Sequence, residues 1–356
     1  MGRRLRQIKK HSVYETVQGI VDRQFLLVPD HYPDNPTLSK LCPKNALDPN
    51  NDLIPIPSTL NIIGAAIGRA LKHVPVNLHC FEANINHKHS QESVDDSCCK
   101  GADNCELAGT PMCGGVENHP ARFHQRVNSV IAQQLNKKYE REGPLFTAPQ
   151  RVTECIDDEK AEEKLLYAMT NTVKDGLVEQ VGESPFFSTY NFWAKGEALR
   201  FWYIEWEEYY LAGGTRKKNH RPKDYIKWVQ WKPKALPNWK GKPRHKYATF
   251  IRQQCKEKED EFRKLRRKEG QRALGIKRLK QLDPRDRPRV PRERTRQPLC
   301  HSSSLRATKA YQKEWRNFVN EHRQASLDYR MGAHEREFPV SSFRPPLVCI
   351  YSSSHL

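Results

Sequence analysis

Two histidines, His87 and His89, are spaced so that they can bind one divalent cation, since side chains two residues apart on a strand point to the same side. A pair of surface histidines without a metal is the alternative. Tyr167 and Asn171 lie four residues apart, and hence on one face of a helix predicted over residues 157–171. A tyrosine beside such a cation can act as a nucleophile. Without the cation, the simpler interpretation of Tyr167 is a half-buried packing residue, and that of Asn171 is a helix cap.

The elements that must position these side chains follow from the spacing of apolar residues. Residues 59–73 repeat apolar side chains three and four apart behind a threonine cap, which predicts a helix. Residues 74–85 alternate as a strand does, and the chain then returns through residues 86–89. Further helices are predicted over residues 120–139 and 157–171. This alternation of strands and helices predicts an α+β sandwich with an antiparallel sheet.

Charge is distributed unevenly along the 356 residues, which carry 61 Lys and Arg against 42 Asp and Glu and a net charge of +19. Residues 1–180 hold 21 basic and 23 acidic residues, whereas residues 181–356 hold 40 and 19. Residues 263–298 alone hold 15 basic and 4 acidic residues. A basic excess of this size favours nucleic acid as the partner, because neutralised phosphates release counterions. An ordinary basic protein or a membrane-surface binder is the alternative.

The lengths of the apolar runs and the distribution of the cysteines indicate in which cellular compartment the protein is expected. No apolar run approaches the roughly 18 residues of a membrane span, so we expect no integral membrane protein. No signal-peptide pattern follows the basic start, which favours a cytoplasmic protein with reduced thiols. Four clustered cysteines can in principle hold a tetrahedral zinc ion, although their spacing matches no common zinc motif and a loop with incidental cysteines is favoured. They are Cys98, Cys99, Cys105 and Cys113.

The second half of the chain is aromatic as well as basic. Six tryptophans between Trp193 and Trp239 lie among short strand-like runs, and we expect most of them in the core, with base stacking on exposed rings as the alternative. Long helices are predicted over residues 245–272 and 305–330. Residues 275–298 are rich in Arg and Pro and are predicted to be irregular, either contacting DNA or forming a solvated linker.

Two runs of residues resemble the motifs of one enzyme family. Residues 80–89, Cys-Phe-Glu-Ala-Asn-Ile-Asn-His-Lys-His, resemble the HUH strand of the single-strand DNA transposases. Residues 166–178 resemble that family's helix Tyr-x-x-x-Asn-Pro-Val-Lys-x-Gly-x-Val. In order and spacing the chain is similar to the REP-associated tyrosine transposase type over about residues 12–190. It departs from the pattern at Lys88, where the family has a hydrophobic residue, and at Thr172, where the family has proline.

The resemblance implies an HUH, ferredoxin-like α/β sandwich over residues 1–190, with a cysteine-bearing insertion at about residues 91–117. It implies that Tyr167 attacks a DNA phosphate, leaving a 5′-phosphotyrosine and a free 3′-hydroxyl. The ligands that the resemblance implies for Mg²⁺ or Mn²⁺ are His87, His89 and Asn171.

Residues 191–356 are then expected to be a basic extension that binds single-stranded or hairpin DNA in the bacterial cytoplasm, at the nucleoid. The candidate phosphate-binding residues are Lys174, Arg263, Arg266, Arg267, Arg272, Lys277, Arg278, Arg285, Arg289 and Arg292. Two rival functions stay open. One is an inactive DNA-binding protein or repressor derived from such a transposase, and the other is a metal-dependent phosphodiesterase that uses water. The sequence does not indicate whether the protein is a monomer or an oligomer.

Overall fold

The computed structural model describes residues 7–9, 12–30, 57–94, 119–147, 150–216, 220–288, 297–339 and 342. The strands within these residues are β1 (Val13–Gly19), β2 (Val76–Ala83), β3 (His87–Val94), β4 (Arg151–Cys155), β5 (Leu199–Ile204), β6 (Ile226–Trp231) and β7 (Cys300–His301). The helices are α1 (Thr59–His73), α2 (His119–Lys138), α3 (Asp158–Lys174), α4 (Tyr190–Lys195), α5 (Trp206–Leu211), α6 (Arg244–Lys268), α7 (Ile276–Leu279) and α8 (Leu305–Arg330).

Five of these strands form the central sheet, in the order β2-β3-β1-β4-β7. Every neighbouring pair is antiparallel except β4 and β7, which run parallel. β1 is the middle strand, and its residue Val17 opposes His89 of β3 on one side and Arg151 of β4 on the other. The predicted fold class, an α+β protein with an antiparallel sheet and helices, is confirmed.

Helices α2 and α3 cover opposite faces of the sheet. Glu92 of β3 accepts a hydrogen bond from His124 of α2 at 2.8 Å. Gln91, the preceding residue on the strand, donates to the Ala161 carbonyl of α3 at 2.8 Å. Because successive strand residues point to opposite faces, the two helices lie on opposite sides of β3. Helix α1 packs against α2.

Side-chain caps fix where the helices begin. The Ser58 hydroxyl accepts from the Asn61 N–H at 3.0 Å before α1, and the Asp157 carboxylate accepts from the Lys160 N–H at 2.8 Å before α3. The observed bounds of α1 and α8 are those predicted from the sequence. Helix α3 continues to Lys174, three residues past the range over which it was predicted.

Elements from the second half of the chain pack onto the first half. The β5–β6 hairpin lies on α1, α6 packs against α3 and α4, and β7 adds a strand to the central sheet. One hydrophobic core accordingly joins Ile67 of α1 with Phe201, Trp231 and Tyr247. The assignment of catalysis to residues 1–190 and DNA binding to residues 191–356 stays a prediction.

Two further expectations bear on the ends of elements and on membranes. β3 continues through Val94, so Gln91 belongs to the strand, and a cysteine-bearing insertion begins no earlier than residue 95. Residues 95–118, including the four clustered cysteines, lie outside the described residues. None of the helices in the described part of the chain is both long enough and apolar enough to cross a membrane.

Candidate active site

His87 and His89 lie at the start of β3, on the side of the sheet that α3 covers. We expected them at the end of a strand, but β2 ends at Ala83 and residues 84–86 turn the chain into a new strand. Asn84 closes this turn by donating its backbone N–H to the His87 carbonyl at 2.8 Å. The alternation of side chains along β3 then brings the two imidazole rings to 5.0 Å between centroids.

Asn171 of α3 faces both imidazoles. Its amide nitrogen lies 2.7 Å from His87 Nε2 and 3.5 Å from His89 Nε2, and its side chain is buried. Asn171 is not a helix cap, because α3 continues to Lys174 and Asp175 is the C-cap residue. The structure therefore brings together all three residues for which the resemblance implies metal binding.

The donors gathered here suit a divalent cation. Asn86 Oδ1 lies 2.9 Å from His87 Nδ1, an arrangement in which Nδ1–H donates and Nε2 keeps the lone pair that a metal needs. The Asn171 amide presents its oxygen to the same place after a half-turn, because the two ends of an amide have nearly the same shape. In the described residues, no group of three or more His, Cys, Asp or Glu side chains is placed to share a metal. A set of two imidazoles and one amide leaves coordination positions for phosphate or water oxygens.

Tyr167 lies one helical turn before Asn171 and on the same face of α3. Its ring centroid is 5.7 Å from that of His89, and its side chain is half-buried. The Lys174 ammonium donates to the Tyr167 hydroxyl at 3.1 Å and lies 4.4 Å from the ring centroid. Lys164 places a second ammonium 5.3 Å from that centroid. The Tyr167 ring therefore borders His89, and two ammonium groups lie beside it.

Two residues near the site were not found by sequence analysis. Glu15 of β1 is buried, and its carboxylate lies 2.7 Å from His301 Nε2, 4.0 Å from His89 Nδ1 and 4.0 Å from the Lys164 ammonium. His301 belongs to β7, so the far end of the chain contributes to the surroundings of His89. At 4.0 Å the Glu15 carboxylate is beyond hydrogen-bond distance of His89 Nδ1, so it acts on that ring through its charge. A two-residue strand carries no sequence pattern that could have placed residue 301 beside residue 15.

Lys88 points to the opposite face of β3, as the strand alternation predicts. It is only 2% exposed, and its ammonium lies 5.2 Å from the Phe81 ring centroid and 5.4 Å from that of Phe146. Its nitrogen has no hydrogen-bond partner within the described parts of the chain. Burial therefore lowers the pKa of Lys88 to about 7. The lysine departs from the family pattern without disturbing the histidines, which still converge.

The arginines at the end of α6 serve different purposes. Arg266 is buried, and its guanidinium donates to the Val173 carbonyl at the end of α3 and to the Glu179 carboxylate. Arg263 pairs with Asp260 at 2.6 Å. These two arginines, predicted to contact DNA, are held by partners within the protein. Arg266 in particular joins α6 to the helix that carries Tyr167.

Arg267 and Arg272 are exposed and line a cleft of about 370 Å³ beside the end of α3, together with Arg263, Arg266 and Glu179. The cleft lies at the end of the helix that carries Tyr167, because Arg266 contacts the Val173 carbonyl there. Other predicted contacts are also exposed, namely Lys174, Lys277, Arg278 and Arg285. Arg289 and Arg292 lie outside the described residues, as do Cys98, Cys99, Cys105 and Cys113.

Comparison with solved structures finds a match. The chain is similar to a REP-associated tyrosine transposase whose structure was solved bound to a REP hairpin. The similarity covers 54% of this chain and 84% of that chain, with 13% sequence identity and a TM-score of 0.33. No protein-family model matches the chain, and no curated protein matches it.

Proposed function

We propose that this protein is a metal-dependent, tyrosine-class single-strand DNA endonuclease and transferase. The observation that carries the proposal is the convergence of His87, His89 and Asn171, with Tyr167 one helical turn away on the same face of α3. Each residue type suits its role in phosphoryl transfer. The imidazoles and the amide can hold a cation, and the phenol can attack phosphorus.

The chemistry begins at the Tyr167 hydroxyl. Its oxygen forms a bond to the scissile phosphorus and loses its proton to solvent, while the 3′ oxygen of the DNA leaves and takes up a proton. The ammonium of Lys174, 3.1 Å from that hydroxyl oxygen, offsets the charge that develops on it. A cation held by His87, His89 and Asn171 would supply charge neutralisation at the phosphate oxygens. Because the phosphodiester bond is exchanged for a phosphotyrosine ester of similar energy, the strand can be rejoined without ATP.

The DNA backbone has a basic surface to follow away from the site. Lys174 is exposed at the end of α3, and the cleft with Arg267 and Arg272 adjoins the same end through Arg266. Guanidinium groups bind phosphate oxygens in pairs and thereby position a strand without reading its sequence. A single strand or a hairpin end that leaves this site is therefore the substrate class that we propose.

Covalent capture tests the proposal. Hairpin DNA carrying a label at its 3′ end is incubated with the full-length protein and Mn²⁺, and products are separated under denaturing conditions. A 5′-phosphotyrosine keeps the downstream fragment, so the 3′ label should shift to the mass of the protein, whereas a 5′ label should be released on a shorter strand. Tyr167→Phe should abolish the shift, and Tyr329→Phe, on α8, should leave it unchanged.

The other outcomes distinguish the rival functions. Cleavage of the hairpin without a covalent adduct indicates a phosphodiesterase that uses water. Binding without cleavage or adduct indicates an inactive DNA-binding protein, and either result contradicts the proposed tyrosine chemistry. His87→Ala should remove the adduct together with Mn²⁺ binding, since that side chain is assigned to the metal.

A further inference from the structure

The β5–β6 hairpin presents two tryptophans on its outer face. Trp202 and Trp228 oppose each other directly across the two strands, and Arg200 opposes Gln230 two pairs further along, on the same face. Trp228 is 53% exposed, and Trp202 is half-buried. Large rings of this kind normally bury most of their surface, so an outward pair on adjacent strands indicates a surface that binds something.

The inner face of the hairpin holds these rings rigidly on α1. Phe201 and Val229 are buried against Gly64 and Gly68, where an added Cβ would lie only 2.4 Å and 2.6 Å from their side chains. The Trp231 indole also donates to the Gly64 carbonyl at 3.0 Å. Gly64 and Gly68 therefore let the β5–β6 hairpin lie close to α1, and this packing holds the outer face of the hairpin in place.

The outer rings lie in a positive environment. The Arg200 guanidinium is 4.5 Å from the centroid of the Trp228 ring. Residues 220–246, which contain β6 and the segment after it, hold nine Lys or Arg and one Asp or Glu. Most of these cations are exposed, Lys227, Lys232 and Lys240 among them. An aromatic surface surrounded by cations matches the two parts of a single-stranded nucleic acid, its flat bases and its phosphates.

We propose that the outer face of the β5–β6 hairpin binds unpaired DNA bases, which stack on Trp228 and Trp202 while Arg200 and neighbouring lysines contact the phosphates. The ribbon lies on α1, which packs against α2 on the face of the sheet away from Tyr167. The bases bound here therefore belong to a segment other than the one being cut. This inference rests on the proposed function for its choice of DNA, and it assigns binding to a surface other than the arginines at the end of α6.

Binding of a labelled (dT)15 oligonucleotide to the full-length protein, measured by fluorescence anisotropy without metal, tests the proposal. Stacking of one base contributes about 1–3 kcal/mol, so Trp228→Ala should weaken binding by at least about fivefold. Trp228→Phe, which keeps a ring, should retain most of the affinity. Leu305→Ala, at an exposed apolar position on α8, should have no effect. Arg200→Gln should lower the salt dependence of binding.

Two results would overturn the inference. One is a folded Trp228→Ala variant that binds (dT)15 as the wild type does. The other is a Trp228→Ala variant whose sedimentation shows loss of a dimer while its DNA affinity is unchanged, since the face would then join two copies of the chain. The covalent-capture assay with hairpin DNA tests the proposed endonuclease function separately. An absent adduct combined with Trp228-dependent (dT)15 binding would contradict the endonuclease function and leave the stacking surface supported.

Discussion

Replacing Lys88 with methionine should stabilise the protein, because Lys88 has to give up most of its charge to be buried without a hydrogen-bond partner among the described residues. Burial lowers the pKa of Lys88 from 10.5 to about 7. At 1.36 kcal/mol per pKa unit, this shift corresponds at pH 7.5 to about 4 kcal/mol of lost folding free energy. Methionine fills the space of the lysine stem between Phe81 and Phe146 and needs no partner.

The pH dependence identifies the cause of any gain. Between about pH 7 and pH 10.5 the unfolded state binds the Lys88 proton more tightly than the folded state does, so the stability of the wild type rises with pH. The advantage of Lys88→Met should therefore fall by more than half between pH 7.5 and pH 9.5.

Urea unfolding followed by far-ultraviolet circular dichroism at pH 7.5 and pH 9.5 measures both values. Lys256→Met, at an exposed position on α6, is the control and should change the free energy of unfolding little. A Lys88→Met variant no more stable than the wild type at pH 7.5 would refute the reasoning, since it would mean that the ammonium reaches water.

Three other predictions follow from buried polar groups. Burial lowers the pKa of His79 to about 4, so the unfolded state takes up the proton first as the pH falls. The free energy of unfolding of the wild type should therefore fall by up to about 3 kcal/mol relative to that of His79→Gln between pH 6.5 and pH 4. Urea unfolding that shows the same pH dependence for both proteins would contradict this. His301→Gln should weaken Mn²⁺ binding, measured by electron paramagnetic resonance, by less than about tenfold, because His301 acts on His89 only through Glu15, which lies 4.0 Å from His89 Nδ1. Arg266→Ala should lower the free energy of unfolding by about 1.5–3 kcal/mol, whereas Arg267→Ala should weaken DNA binding without affecting unfolding.

The parts of the fold that could be predicted are those determined by local periodicity. The apolar residues three and four apart predicted the bounds of helix α1 correctly, whereas the cap is Ser58 and not the predicted Thr59, which is the first residue of the helix. The shared direction of His87 and His89 follows from strand alternation alone, and so does the opposite direction of Lys88. Tyr167 and Asn171 share a face because helical spacing requires it. The predicted site residues therefore lie together where one strand, β3, meets one helix, α3.

The remainder depends on contacts between residues far apart in the chain. Nothing in the local sequence distinguishes Arg266, which binds the end of α3, from the exposed Arg267 beside it. The two-residue strand β7 is defined only by its pairing with β4, so His301 could not be placed near Glu15. Most of the tryptophans were expected in the core. The exposure of Trp228 depends on which face of β6 packs on α1, a choice that tertiary packing makes.

The basic second half is not attached to the central sheet as a separate unit. Tyr247, Ile251 and Cys255 of α6 are buried in the core that contains the helices of the first half. Removing residues after Leu236 would expose that core, and it would also take away Arg266 and the β7 strand. Loss of DNA binding in such a fragment would then follow from unfolding as readily as from lost charge. The location of the DNA surface must therefore be tested by charge-removing substitutions at exposed positions in the full-length chain, where each folded variant reports on one contact.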